Sequence, residues 1–163
     1  MNEMHSELAT DPVPAAPCPT NGRFGQPVGK QTIKSLLARS LTLISPTQAY
    51  RFCPAPDCAT VYYRADGQQV FGEDDLRERV YQKHIESDEV LICFCFQHSV
   101  GQIRAEIEQT GTTTVVDYIM AGISAGQCAC DVRNPQGNCC LGQVRGLVQH
   151  LMMSASSGDN QPK

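Results

Sequence analysis

At 163 residues, with a formal net charge of −4 and nine cysteines, the chain has room for one ordinary domain or two very small ones. The odd cysteine count excludes complete disulfide pairing within the chain. No Lys/Arg run marks the basic face that a nucleic-acid binder needs, and no apolar run approaches the ~20 residues of a membrane helix.

Residues 1–17 are rich in Ala, Pro, Glu and Asp and read as a disordered arm. They have neither the basic start nor the apolar centre of a secretory signal. The expected compartment is therefore the reducing cytoplasm, where clustered thiols bind metals or do redox chemistry. The next segment, residues 18–85, opens with Ile33, Leu36, Leu37 and Leu41, which fit one short amphipathic element over residues 30–42. Tyr50-Arg51-Phe52 and Thr60-Val61-Tyr62-Tyr63 flank Cys53 and Cys58 as two strands flank a knuckle. Residues 72–76 read as a turn entering a short helix.

The second segment is residues 86–153. Val90-Leu91-Ile92 leads into Cys93-Phe94-Cys95-Phe96. Ser99 is placed to cap a helix carrying Val100, Ile103 and Ile107 and ending at Gly111. Another helix starts at residues 112–114, with Val115, Ile119 and Ile123 on one face and Gly126 beyond its end. A loop with four cysteines follows, and Val144, Leu147, Val148 and Leu151 mark a last helix. Residues 154–163, mostly Ser, Gly, Asn and Pro, read as a disordered tail. The expected fold is α+β: a small zinc-bound, β-rich segment, then an all-α helix-turn-helix segment whose two cysteine loops can meet at one end.

A [2Fe–2S] cluster needs four thiolates, two on each iron. Cys93-x-Cys95 supplies one close pair, and the partners must come from Cys128, Cys130, Cys139 and Cys140. The loop of residues 131–138 is polar and turn-rich, so it can wrap round a cluster. Free core cysteines are the bland alternative, and six cysteines within 48 residues speak against it. Zinc is the stronger rival, since it accepts the same thiolates, but Cys-x-Cys and Cys-Cys steps are not common zinc-knuckle spacings. In the first segment, Cys18 at a Pro/Gly turn and Cys53-x4-Cys58 suit tetrahedral zinc. His84 and His98 are placed to tune a centre by hydrogen bonding or charge, although a single surface or capping histidine is the commoner case. His150 reads as an exposed residue of the last helix.

Cys93-Phe94-Cys95-Phe96 and the string Cys130-Asp131-Val132-Arg133-Asn134-Pro135-Gln136-Gly137-Asn138-Cys139-Cys140-Leu141-Gly142 resemble the N-terminal domain of CopZ-type copper chaperones of archaea and some bacteria. The cluster half of that domain is similar to the bacterioferritin-associated ferredoxin, or BFD-like, [2Fe–2S] domain. The resemblance spans residues 18–151. It implies cluster ligands at Cys93, Cys95 and Cys130, with the fourth in the Cys139–Cys140 pair and Cys140 favoured. Cys128 and Cys139 are then spare, with Cys128 a competing ligand. It also implies zinc on Cys18, Cys53 and Cys58. The family's first element reads Cys-Pro-x-Cys-Gly, and this chain has Asn21 in place of the second cysteine. The fourth zinc ligand is left to Asn21, Asp57, a histidine such as His5, or water; the alternative is a first segment without zinc.

The Met-x-Cys-x-x-Cys copper loop of such chaperones does not occur in the sequence. The expectation is the zinc and cluster module alone, with the two centres independent of each other. Its role would be one-electron transfer linked to copper or other metal handling, with a redox or copper-handling protein as partner. The alternatives are a metallochaperone or sensor that holds Cu(I), a copper ion, on spare cysteines, and a structural or partner-docking iron–sulfur protein. No triad, paired carboxylate or phosphate loop appears, so no catalytic residue and no enzyme activity is expected, and neither nucleic acid nor membrane is expected as a partner.

Overall fold

The structure, a computed structural model, describes residues 15–157. The arm at residues 1–14, with His5, and the tail at 158–163 lie outside the described residues. Of the remainder of those two spans, Ala16 donates its N–H to Ala65 O at 2.8 Å, and residues 154–157 continue the last helix rather than start a tail.

The first half is a four-stranded antiparallel sheet in the order β1 (Gln26–Val28), β2 (Tyr50–Phe52), β3 (Thr60–Arg64) and β4 (Val70–Gly72). The aromatic and β-branched runs of β2 and β3 pair with Phe52 opposite Tyr62. Adjacent residues of β3 face opposite sides. Tyr62 packs with Ile33, Leu37 and Phe52 in one core, and Tyr63 packs with Cys18, Cys53 and Cys58 in another. β1 and β4 are three residues each, too short for a periodic signal.

Helix α1 (Lys30–Leu36) covers the first of those cores. The single element expected over residues 30–42 is instead this helix and a separate 3₁₀ turn at Leu41–Leu43. The helix stops because Leu37 turns extended to bridge Leu76, while Leu36 O accepts from Arg77 N–H and Ala38 N–H donates to Asp75 O. Leu41 is then 49% exposed rather than on a buried face. Glu73–Asp75 form the expected turn after β4.

The second half opens with a short hairpin of β5 (Leu91–Cys93) and β6 (His98–Ser99). It continues through α2 (Val100–Thr110), α3 (Val115–Ser124), the one-turn α4 (Cys130–Arg133) and α5 (Leu141–Ser157). Ser99 caps α2: its Oγ accepts from Gln102 N–H, and Gln102 Oε1 accepts from Ser99 N–H. Ile103, Ile107, Val115, Ile119, Val144 and Leu151 form a core that shares no buried residue with the two cores of the first half. The α+β class is borne out. The hairpin and α4 add to the expected helices, and α4 touches α1.

Candidate metal centres

The first centre is built on the turn after residue 17 and the loop between β2 and β3. Cys18 N–H donates to Arg23 O and Gly22 N–H to Cys18 O, which curls the turn around the sulfur. Cys53 N–H donates to Val61 O and Cys58 N–H to Ala55 O, closing the knuckle. The three sulfurs lie within 4.8 Å of one another and all three residues are buried. Cys18 and Cys58 Sγ are 3.9 Å apart. Burial raises the Cys18 thiol, but hydrogen bonds from the Asn21 and Thr20 backbone and from the neighbouring thiols outweigh it, so it lies below an ordinary cysteine. Burial wins at Cys53 and pushes it up, against the Ala55 N–H and the charge of Lys83. Lys83 reaches the knuckle from a 3₁₀ turn, its Nζ donating to Ala55 O at 2.6 Å.

The fourth ligand is not among the side chains named from the sequence and described here. Asn21 turns its Nδ2 to Cys53 Sγ at 3.4 Å, and its Oδ1 accepts from Arg23 N–H at 2.9 Å. It serves the thiols as a hydrogen-bond donor. Asp57 is exposed and faces Arg23 at 3.9 Å. His84 pairs with Glu73, Nε2 to Oε1 at 2.6 Å. Among the described residues no fourth His, Cys, Asp or Glu atom joins the group. Three buried thiols with a nearby cation suit zinc, with one position left for a water or other small ligand.

The second centre lies where the β5–β6 turn meets α4 and the start of α5. Cys95, Cys128 and Cys130 Sγ are 3.5, 3.6 and 3.9 Å apart in pairs. Ala129 N–H donates to Cys95 Sγ at 3.2 Å. Cys140 reaches this group by a different edge. Its thiol hydrogen-bonds Cys130 and Cys93, lowering Cys130 to about 5 and Cys93 to about 7, while its own thiol is pushed up. Burial pushes Cys95 up to about 12. Cys93, Cys130 and Cys140 are buried, and Cys95 and Cys128 are half-buried.

Cys93, Cys95, Cys130 and Cys140 therefore come to one place. Cys139 does not: it is exposed, and its sulfur accepts from Leu141 N–H at 3.5 Å. Cys128, set aside as spare, has its sulfur 3.5 Å from that of Cys130, as close as Cys95 at 3.6 Å. The sequence held a signal for this, since Cys128-x-Cys130 repeats the Cys93-x-Cys95 spacing. Phe94, between the two cysteines of the hairpin turn, is buried at 3% exposure. His98 sits opposite Cys93 in the hairpin, packed edge-on to Tyr118 at 5.3 Å. Burial lowers its pKa, and its Nε2 is buried without a hydrogen-bond partner among the described residues. His150 is exposed on α5.

Residues 15–77 match the model of the CopZ zinc binding domain family. That span holds Cys18, Cys53 and Cys58, so the three thiols of the first centre fall within the part of the chain that is similar to that zinc-binding domain. A solved structure extends the likeness. The crystal structure of the Archaeoglobus fulgidus CopZ N-terminal domain matches with a TM-score of 0.63 and 27% identity, covering 80% of this chain and 95% of that one. Residues 1–77 are under half of the chain, so a match over 80% takes in much of the second half. No curated protein matches the chain. No helix of the described residues is long and apolar enough to cross a membrane.

Proposed function

We propose that the chain is a two-centre metal protein, with zinc on Cys18, Cys53 and Cys58 and a BFD-like [2Fe–2S] cluster on Cys93, Cys95, Cys130 and Cys140. Its role is one-electron transfer linked to copper or other metal handling. The observation that carries this reading is the meeting of four thiols from three separate elements, two of them already favoured as thiolates. When bound, such a cluster supplies a one-electron couple. The protein's own groups do the rest. The Ala129 N–H stabilises negative charge on the Cys95 sulfur. α5 begins at the residue after Cys140, which puts the positive end of its backbone dipole beside that ligand. Burial of Cys93, Cys130 and Cys140 keeps water from three ligands, while the half-buried Cys95 leaves one edge close to the surface for a redox or copper-handling partner. The link to copper rests on the resemblance to CopZ chaperones. All nine cysteines are free thiols, which suits the reducing cytoplasm. We assign the protein no turnover of an organic substrate.

Metal analysis with visible and EPR spectroscopy of anaerobically purified protein tests the reading. Two irons with labile sulfide, one zinc and an EPR signal on reduction are expected, with iron lost in Cys93→Ser and Cys130→Ser. A variant that keeps its iron and spectrum removes that residue from the ligand set.

A second reading has its own observation. Cys95, Cys128 and Cys130 form a close triad of the kind that soft three-coordinate metals such as Cu(I) prefer. The triad shares Cys95 and Cys130 with the cluster, so a Cu(I) titration of iron-free protein separates the two. Tight binding that is lost in Cys128→Ser favours a metal carrier over an electron carrier.

A further inference from the structure

The two halves meet at the loop that carries the second centre's ligands, and most of the polar contacts across that junction end on it. Tyr62 lies on β3 of the first half and is fully buried. Its hydroxyl donates to Pro135 O at 2.5 Å. Thr32 lies on α1 and is also fully buried. Its Oγ1 donates to Asp131 O at 2.5 Å. Gln136 is 7% exposed, and its Oε1 accepts from Gln82 of the first half and from Gln143 of α5 at 2.9 and 2.8 Å. The Gln136 Nε2 then donates to Cys139 O at 3.1 Å, one residue before Cys140.

The backbone between Cys130 and Cys140 depends on these contacts. Pro135 has no N–H, and a buried carbonyl left without a donor is costly. Gly137 has φ +79, and a Cβ there would come within 2.9 Å of Val28 and 3.0 Å of Thr32 Oγ1, so the loop lies flat against the first half. Inside the loop, Asn134 Oδ1 accepts from Gln136 N–H and Asn134 Nδ2 donates to Asn138 O. The Asn-Pro-Gln-Gly-Asn string is thus both self-bonded and pinned from outside. The pins belong to the zinc-binding half, while the thiols at either end belong to the other centre.

The geometry points to Tyr62 and Thr32 as positioning residues: the zinc-binding half sets the loop that holds Cys130 and Cys140 in place for the second centre. This rests on the cluster reading above for what Cys130 and Cys140 hold, though not for how the loop is held. It opposes the expectation that the two centres are independent.

Hydrogen exchange on the full-length, zinc-loaded, iron-free protein reads the loop directly. In Tyr62→Phe and Thr32→Val, amides of residues 131–140 should exchange about tenfold faster, with those of α2 and α3 unchanged. Thr32→Ser, which restores the hydroxyl, should return the wild-type rate. In the iron-loaded protein the same two variants should lose iron to a chelator several-fold faster and shift the midpoint potential. Wild-type exchange in both variants overturns the inference. If Tyr62→Phe does not fold, Gln82→Ala probes the same loop from a half-buried side chain, with about threefold faster exchange expected and an unchanged rate counting against it. Faster loop exchange in a protein that takes up no iron leaves the positioning role standing and removes the cluster reading. Iron uptake with wild-type exchange does the reverse.

Discussion

Cys139 and Cys140 are neighbours in sequence and opposites in environment. Cys140 is 1% exposed and faces Cys93 and Cys130; Cys139 is exposed and its sulfur caps back onto Leu141 N–H. Cys140→Ser is therefore expected to abolish iron binding at the second centre and Cys139→Ser to leave it unchanged, by iron analysis and visible absorption. The reverse pattern would move the fourth ligand to Cys139. At the first centre, Asn21 gives a thiol group one hydrogen bond where a fourth thiolate would give a bond to the metal. Asn21→Cys is expected to slow zinc release to a chelator by about tenfold or more, because a closed four-thiolate site replaces an open one. Release at the wild-type rate would mean that position 21 does not face the metal.

The elements that position the centres differ in how far the sequence disclosed them. α2 was legible because its signals agree: the Ser99 and Gln102 caps, the apolar stripe and Gly111 with φ +79 all mark one helix. Ser99→Ala is expected to cost about 1 kcal/mol in thermal unfolding of the second half. β2 and β3 were legible for the same reason, since aromatic and β-branched residues concentrate there. β1, β4 and β6 were not, because two or three residues carry no period and their pairing is set by partners far along the chain. The break in the 30–42 element was hidden too, since it comes from the contact between Leu37 and Leu76. The thiols themselves were legible as candidates by spacing alone. Which of Cys128, Cys139 and Cys140 turned inward was not, because burial at a helix start depends on tertiary packing. Gly122 on α3 is a related case. A Cβ there would meet the Phe96 ring at 2.3 Å, so the residue allows the turn after Cys95 to pack on the helix. Gly122→Ala is expected to destabilise the second half by about 1–3 kcal/mol and to broaden the environment of Phe96, seen as a lower melting temperature.

At the scale of the whole molecule, the separation of cores decides how the protein should respond to loss of zinc. The first half divides its buried residues between a sheet core of nine and a thiol core of five, and the thiol core consists of Cys18, Cys53, Cys58, Ala55 and Tyr63. A core built on three thiols leans on its metal, whose binding energy becomes folding energy. The second half has its own apolar core, whose buried residues all come from that half, with the partly buried Tyr81 of the first packed against it. α2, α3 and α5 hold 11, 10 and 17 helical residues, against 7 in α1. Removing zinc from iron-free protein should therefore leave most of the far-UV helical signal intact. The near-UV signal should fall, because the buried Tyr50, Tyr62 and Tyr63 all lie in the first half. Heating the zinc-loaded protein should give two transitions, of which a chelator moves only the one reported by those tyrosines. The exception is the 130–140 loop, which loses the Tyr62 and Thr32 contacts when the first half loosens, so reconstitution with iron should become slower in zinc-stripped protein. Parallel loss of the helical and tyrosine signals on chelation would show instead that the two halves unfold as one unit, with zinc holding the second core as well as the first.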